Sequence, residues 1–418
     1  MTFHRRSPSG VLEAERVPLT EIAAAVGTPC FVYSRAALEL SMRSFLAASK
    51  GRDSLVCYAM KANSNLAILD LFARLGAGFD IVSGGELARA LAAGADPGKI
   101  VFSGVGKSTG DIARALDVGI RCFNVESASE LKRLERIAAE KGRKAPVSLR
   151  VNPDVDAGTH PYISTGLHEN KFGIPLGEAR ALYRHATASK HLNVVGIDVH
   201  IGSQITEVGP FVDSIDRVLE LLGALEYEGI RLQHIDVGGG LGIRYRDEEP
   251  PSIEAYIAAL FGALQETTLE VLFEPGRALV GNAGVLLTKI EYLKPGPVKN
   301  FAIVDAAMND LLRPALYEAW HDIVPVAPRA GAGRSYQVVG PICETGDFLG
   351  NDRSLTVEEG DLLAVMSAGA YGMSMASNYN SRPRAAEVMV DGDRFQIIRE
   401  RESITSLFAN ERLWSDGR

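Results

Sequence analysis

No apolar run in these 418 residues approaches the length needed to cross a membrane, and none follows the basic residues of the opening MTFHRRSPSG. Neither a membrane span nor a secretory signal is expected. Cysteine is scarce: Cys30, Cys57, Cys122 and Cys343 lie far apart, with no C-x-x-C pair. That spacing argues against a disulfide framework and a zinc site, so no metal is expected, and it fits a reduced, cytoplasmic chain. Positive charge is in deficit, with 44 Lys and Arg against 52 Asp and Glu and a net charge of −8. Such a chain is a poor partner for nucleic acid or an anionic membrane surface. There is no low-complexity linker and no strand followed by GxGxxG opening a helix. The composition, 46% hydrophobic and 23% charged, is that of a globular protein long enough for one large or two ordinary domains.

What the chain does have is an alternation. A short alternating segment at Gly10–Val17 precedes a helix expected over Leu19–Val26 and a strand or extended connection over Thr28–Ser34. Two helices' worth of Ala and Leu then run to Lys50. Beyond that, short apolar runs read as strands at Ser54–Tyr58, Phe79–Val82, Ile100–Ser103, Cys122–Val125, Val147–Val151, Val194–His200, His234–Val237 and Val271–Glu274. Helical patterns lie between them, such as Leu66–Leu75, Gly85–Ala93, Ala128–Lys141, Gly177–Ala188, Phe211–Glu228 and Ile253–Glu266. Near-continuous hydrophobicity in the strands means burial on both faces, as a parallel sheet covered by helices requires. Eight such units predict a (β/α)8 TIM-type barrel over residues 37–282 rather than an open doubly wound sheet. After Gly284 helical patterning stops, and strands are expected at Phe301–Val304, Tyr336–Val339, Leu362–Val365, Glu387–Val390 and Phe395–Ile398, with a hairpin at VDGDR (390–394). Residues 283–418, with the N-terminal strand of 1–36, are expected to form an all-β domain.

Residues that propensity does not explain collect after the barrel strands, where such barrels place their chemistry. Lys61 follows the first strand. It is either a solvated strand-end lysine, the commoner case, or an amine in a dry pocket whose pKa burial lowers until it can form a Schiff base. Asp80 precedes Ser83-Gly84-Gly85-Glu86 after strand two, and Arg150 lies on strand five. His200-Ile201-Gly202-Ser203-Gln204 ends strand six; a flat imidazole and a neighbouring hydroxyl suit a ring and a phosphate oxygen. Gly238, Gly239 and Gly240 after strand seven offer backbone N–H groups to an anion. Glu274, before Pro275-Gly276-Arg277, ends a buried strand and needs a partner: Arg277, or the nitrogen of a heteroaromatic ring that a carboxylate keeps protonated. An amine, a phosphate cradle, a flat ring and an acid for a pyridine nitrogen together specify pyridoxal 5'-phosphate.

In order along the chain stand YAMKAN (58–63), FDIVSGGE (79–86), TGLHENKFGI (165–174), HIGSQ (200–204), DVGGGLG (236–242), EPGR (274–277), MNDLLRPALY (308–317), CETGD (343–347), AGAYG (368–372) and NYNSRP (378–383). This set resembles the alanine-racemase-like, fold-type III pyridoxal-phosphate enzymes, and within them the diaminopimelate decarboxylases; Thr345 stands where that family commonly has Ser. The resemblance covers nearly the whole chain. It implies decarboxylation of meso-2,6-diaminopimelate to L-lysine and CO2, the last step of lysine biosynthesis, by a homodimer whose sites borrow residues from the partner. It also implies roles. Lys61 carries the cofactor and His200 stacks on it; Ser203, Gly240 and the stretch Glu274 to Arg277 contact it, with Glu274 at the pyridine nitrogen. Tyr371 touches cofactor and substrate; Arg277, Arg313, Tyr317 and Glu344 touch substrate; Cys343 is the general acid, donated across the dimer interface.

The residues carry part of this unaided. Arg313, beside Pro314, is a helix-end arginine or one of two carboxylate clamps with Arg277. Glu344 can accept from an ammonium. Free cysteines are usually buried and inert, but Cys343 sits in a polar loop. The alternatives on this fold are decarboxylases of ornithine, arginine or carboxynorspermidine, an amino-acid racemase, and a non-enzymatic pyridoxal-phosphate-binding protein. The last is disfavoured by the presence of Lys61, Glu274 and Cys343 together.

Overall fold

The computed structural model describes residues 4–156, 158, 160, 165–166 and 170–414. They divide into two compact units. One comprises Glu39–Arg244 and Glu248–Leu279; the other comprises Met1–Leu38, Tyr245–Asp247 and Val280–Arg418.

In the first unit eight parallel strands close on themselves: β1 (Ser54–Ala59), β2 (Gly78–Ile81), β3 (Ile100–Phe102), β4 (Cys122–Val125), β5 (Ala145–Asn152), β6 (Leu192–Val199), β7 (His234–Asp236) and β8 (Glu270–Phe273). Each pairs with the next, and β8 pairs with β1, so the sheet has no open edge. This is the predicted barrel. A two-residue strand, Ile174–Pro175, adds to the outside of β5. Leu55, Cys57, Val101, Cys122, Val195 and Leu272 pack as one apolar cluster. Gly196 has no side chain because a Cβ there would lie 2.1 Å from the His234 ring.

The surrounding helices begin where a short polar side chain can meet the first free N–H groups. Ser83, Ser108, Ser127 and Ser252 each accept from the backbone N–H three residues on. Each such cap is worth about 1 kcal/mol. The expected helices are all present with ends shifted by a few residues, and Thr109–Val118 adds one between β3 and β4. The Ala- and Leu-rich stretch before β1 is one helix, Arg35–Ala48, rather than two, since it contains no Gly or Pro to break it.

The second unit is built on a sheet ordered Phe348–Leu355, Arg334–Val339, Asn300–Val304, Gly284–Lys294, Cys30–Ser34, Ala386–Asp391 and Arg394–Arg399. The N-terminal strand Cys30–Ser34 joins it as expected, antiparallel to Gly284–Lys294 and parallel to Ala386–Asp391. Leu362–Val365 pairs with Gly284–Lys294 and with Ile323–Pro325. The predicted hairpin is there: Asp391 faces Arg394 across Gly392-Asp393, and Gly392 takes φ +68, which favours glycine. Gly10–Val17 is not one strand. It holds Leu12–Ala14, and Val17–Pro18 pairs back on it through a turn in which Glu15 takes φ +54.

Candidate active site

Three barrel strands bury an aspartate in an apolar run: Asp80 in FDIV, Asp198 in GIDV and Asp236 in HIDV, none more than 1% exposed. Glu126 and Glu274, just past β4 and β8, are buried too. Two cations face these five carboxylates. Lys61, in the 3-10 turn Met60–Ala62 directly after β1, donates from Nζ to Asp80 Oδ2 at 3.0 Å. Arg150 donates from Nη1 to Glu126 Oε1 at 3.0 Å, and its Nε lies 3.9 Å from Asp198 Oδ2. Among the described residues, Asp236 and Glu274 have no ion-pair partner.

One oxygen each from Asp198, Asp236 and Glu274 lie within 4.8 Å of one another. Burial above all, then Asp236, Asp80 and Asp198, pushes the Glu274 carboxyl well above the usual carboxylate range; Lys61 works against this. Burial likewise raises Asp198 well above that range, and Asp236 to about 6. Three crowded carboxyls with so little counter-charge resist ionisation, and Asp236 and Glu274 share a hydrogen bond. Glu274 Oε1 also accepts from Ser103 Oγ and Asn124 Nδ2, each at 3.3 Å. These contacts describe an acid short of a cationic or protonated partner.

The loops after β6 and β7 are tied together beside it. His200 Nδ1 accepts from the Gly239 N–H at 3.1 Å, so the proton of the neutral ring sits on Nε2. Burial, then Arg150 and Lys61, holds the imidazole well below its ordinary pKa, so it stays uncharged. Asp236 Oδ1 accepts from Gly238 N at 2.9 Å, and Glu274 N donates to Gly238 O at 2.7 Å. Glycine is required here by close approach: a Cβ on Gly239 would lie 2.1 Å from the Glu274 carbonyl oxygen, and one on Gly240 2.7 Å from that of Gly202. With these neighbours, the N–H groups of Gly240 and Gly276 meet no acceptor among the described residues. Two open backbone donors, a neutral flat ring, an amine and a proton-sharing acid fit the parts of pyridoxal 5'-phosphate.

Several expected contacts have other partners. Lys61 is not in a dry pocket; its side chain is 39% exposed and rests on Asp80. Arg277 does not pair with Glu274: its Nη2 donates to Ser203 Oγ at 3.1 Å. Asp80 serves Lys61, and Arg150 serves Glu126 and Asp198 as their counter-ion. The Gly239 N–H is engaged by His200. Ser83 caps the helix that follows, with Glu86 N donating to its Oγ at 3.2 Å, and Glu86 Oε2 reaches back to accept from Val82 N at 2.7 Å. Of TGLHENKFGI, Leu167, His168 and Glu169 lie outside the described residues.

In the second unit three motifs knit into one network. Asp347 of CETGD accepts from Met308 N and Ile342 N, both at 2.7 Å, which docks that loop on the MND turn. Asn309 Oδ1 accepts from Arg382 Nε of NYNSRP at 3.0 Å, and Asn380 Oδ1 accepts from Cys343 N at 3.2 Å. The Tyr379 hydroxyl donates to Glu344 Oε1. Cys343 is thereby held by its backbone with an exposed thiol, whereas Cys30, Cys57 and Cys122 are buried. Burial pushes the Cys30 thiol up to about 12 and the other two well above their usual range. Arg313 and Tyr317 stand four apart on the short helix Arg313–Tyr317 and so share a face. Tyr371 takes φ +56, a strained setting for a tyrosine.

Comparison with known proteins gives these geometries a context. Residues 36–281 match the family model for the pyridoxal-dependent decarboxylases, pyridoxal binding domain. A diaminopimelate decarboxylase of Pseudomonas aeruginosa is 61% identical over 402 residues, covering 96% of this chain and 97% of its own. The crystal structure of diaminopimelate decarboxylase from Helicobacter pylori complexed with L-lysine superposes with a TM-score of 0.91 at 44% identity, over 94% of this chain and 99% of that one. That of the M. jannaschii diaminopimelate decarboxylase, also with L-lysine, gives 0.94 at 38%, over 98% of each.

Proposed function

Since the chain belongs to the pyridoxal-dependent decarboxylase family, we propose that it removes CO2 from meso-2,6-diaminopimelate to give L-lysine. The cofactor is pyridoxal 5'-phosphate. The observation that carries the reading is the buried, proton-sharing Glu274 beside an amine already poised on Asp80.

When bound, the cofactor supplies an electron sink for the pair left at Cα as the carboxylate departs. Lys61 Nζ would hold it covalently, and Asp80 keeps that amine in place. Glu274 would keep a proton at the ring nitrogen, His200 would face the ring, and the N–H groups of Gly240 and Gly276 would bind the phosphate with Ser203. Arg313 and Tyr317 bind the distal carboxylate of the substrate, with Arg277 as a further carboxylate contact. Glu344 binds the distal ammonium and Tyr371 orients the reacting end. Cys343 Sγ–H delivers the proton that replaces CO2 on Cα. Cys343 and Glu344 lie on an exposed loop, and the working form is a homodimer in which each copy lends this loop to its partner's cofactor. Four dispersed cysteines and no helix, among the described residues, able to cross a membrane support work in the cytoplasm.

A panel of meso-diaminopimelate, ornithine, arginine, lysine and carboxynorspermidine, assayed for CO2 and amine with added pyridoxal 5'-phosphate, tests this. Selectivity of roughly 10⁴–10⁵ for diaminopimelate is expected, because substrates without the distal carboxylate strand its buried partners. Comparable rates with ornithine or lysine would contradict it.

A further inference from the structure

Arg313 is 6% exposed. Its Nη1 lies 2.7 Å from Nε2 of His321, and its guanidinium carbon 4.6 Å from the centroid of the Tyr245 ring. Tyr245 in turn meets His321 edge-on, with ring centroids 5.2 Å apart and planes at 76°. His321 has no exposed surface. Its Nδ1 lies 2.8 Å from the Met366 carbonyl oxygen, and its own carbonyl accepts from Arg353 Nη2 at 2.9 Å. A carbonyl only accepts, so Nδ1 carries the ring proton; a guanidinium only donates, so Nε2 is the bare nitrogen. Both contacts together demand the neutral imidazole in one tautomer.

We propose that His321 is a positioning residue for substrate specificity: with Tyr245 it fixes the Arg313 guanidinium in the orientation that receives the distal carboxylate of the substrate. This rests on the reading above that Arg313 binds that carboxylate. The choice of partners explains itself. A carboxylate in the place of His321 would hold Arg313 equally well but would neutralise it, leaving little charge for the substrate. A neutral ring nitrogen and the face of a phenol orient a guanidinium without themselves neutralising it. The sequence hides this device, since His321 follows Trp320 with no motif around it, and Tyr245 is 76 residues away (321 − 245).

The test uses the pyridoxal-phosphate-loaded enzyme with His321→Leu, His321→Gln and His321→Glu, beside Arg313→Ala. Glutamine can donate to Met366 and accept from Arg313, whereas leucine can do neither. His321→Leu should raise KM for meso-diaminopimelate about 10- to 100-fold, the scale of a lost hydrogen bond to a charged group, with kcat within about threefold. His321→Gln should recover most of that loss, and His321→Glu should behave at least as badly as leucine although it pairs with Arg313. The inhibition constant of L-lysine, the product that keeps the distal carboxylate, should rise in step with KM, whereas that of cadaverine, which lacks it, should stay unchanged throughout. If Arg313→Ala raises KM while His321→Leu does not, the positioning role is overturned and the reading of Arg313 stands. If neither changes KM, the reading of Arg313 itself fails. Weakened cadaverine inhibition in step with KM, or a glutamate variant as good as wild type, would reduce His321 to a packing residue. Should the leucine variant fail to fold, the contrast between glutamine and glutamate decides the matter.

Discussion

Replacing Cys343 with alanine is expected to cut kcat by about 10²–10⁴, the span attributed to a positioned general acid, while the visible absorbance of the bound cofactor is retained. The loop does not depend on the thiol. Cys343 is held through its backbone N–H on Asn380 Oδ1, and the loop through Asp347 on Met308 N and Ile342 N. Alanine therefore removes the proton and little else. None of the other cysteines can take over, because Cys30, Cys57 and Cys122 are buried with thiols raised by burial. Serine keeps an O–H in place but is a far weaker acid, so it should restore only part of the rate. Turnover of the alanine variant within about threefold of wild type would take Cys343 out of the chemistry.

The second large effect is expected at Glu274. Glutamine in its place keeps the shape and cannot hold a proton at a ring nitrogen, so kcat/KM should fall by roughly 10²–10³. Stability should move the other way. Glu274 is crowded by Asp236 and Asp198 within 4.8 Å and raised by burial, a setting in which its ionised form is a liability to the fold. The sign follows: a carboxyl whose folded pKa is raised favours the folded state most below its unfolded pKa, near 4.3, and loses that contribution as pH climbs toward the folded value. The cofactor-free glutamine variant should therefore be at least as thermostable as wild type, and more so at the alkaline end. Loss of activity together with a lowered Tm would mean that Glu274 is a structural residue.

The barrel was readable because each of its strands is buried on both faces, and an unbroken apolar run leaves no other placement. The second unit was harder. Gly284–Lys294 is an eleven-residue strand, yet Leu286, Ile290 and Leu293 fall at helix-like intervals. The register shift between Ile290 and Tyr292 is what allows this, by breaking the period of two. Phe348–Leu355 contains Gly350-Asn351-Asp352, which reads as a turn; Asp352 takes φ +54 within a strand whose pairing with Arg334–Val339 slips twice. Tyr245–Asp247 groups with the second unit although it follows a barrel strand, and Arg246 lies over the Trp320 ring at 4.2 Å. Such contacts between residues distant in sequence leave no local pattern.

In the site, Lys61, His200, Gly240 and Glu274 could be singled out because each breaks the propensity of the element that carries it. Asp198 and Asp236 were equally exposed to that logic, being aspartates inside buried apolar strands, and Glu126 stands at the end of another. A buried charge in an apolar run was the signal, and it points to the crowding that sets the state of Glu274. The partner of Arg277 could not be read this way, since Ser203 and Glu274 were both within sequence-level reach and only geometry separates them.

The claim on which the rest depends is that one amine, Lys61, holds the cofactor opposite Glu274. Borohydride reduction of the pyridoxal-phosphate-loaded protein, followed by peptide mapping, tests it most directly. The pyridoxyl label should appear on the peptide containing Lys61 and nowhere else. A label on another lysine, or none at all, would contradict it.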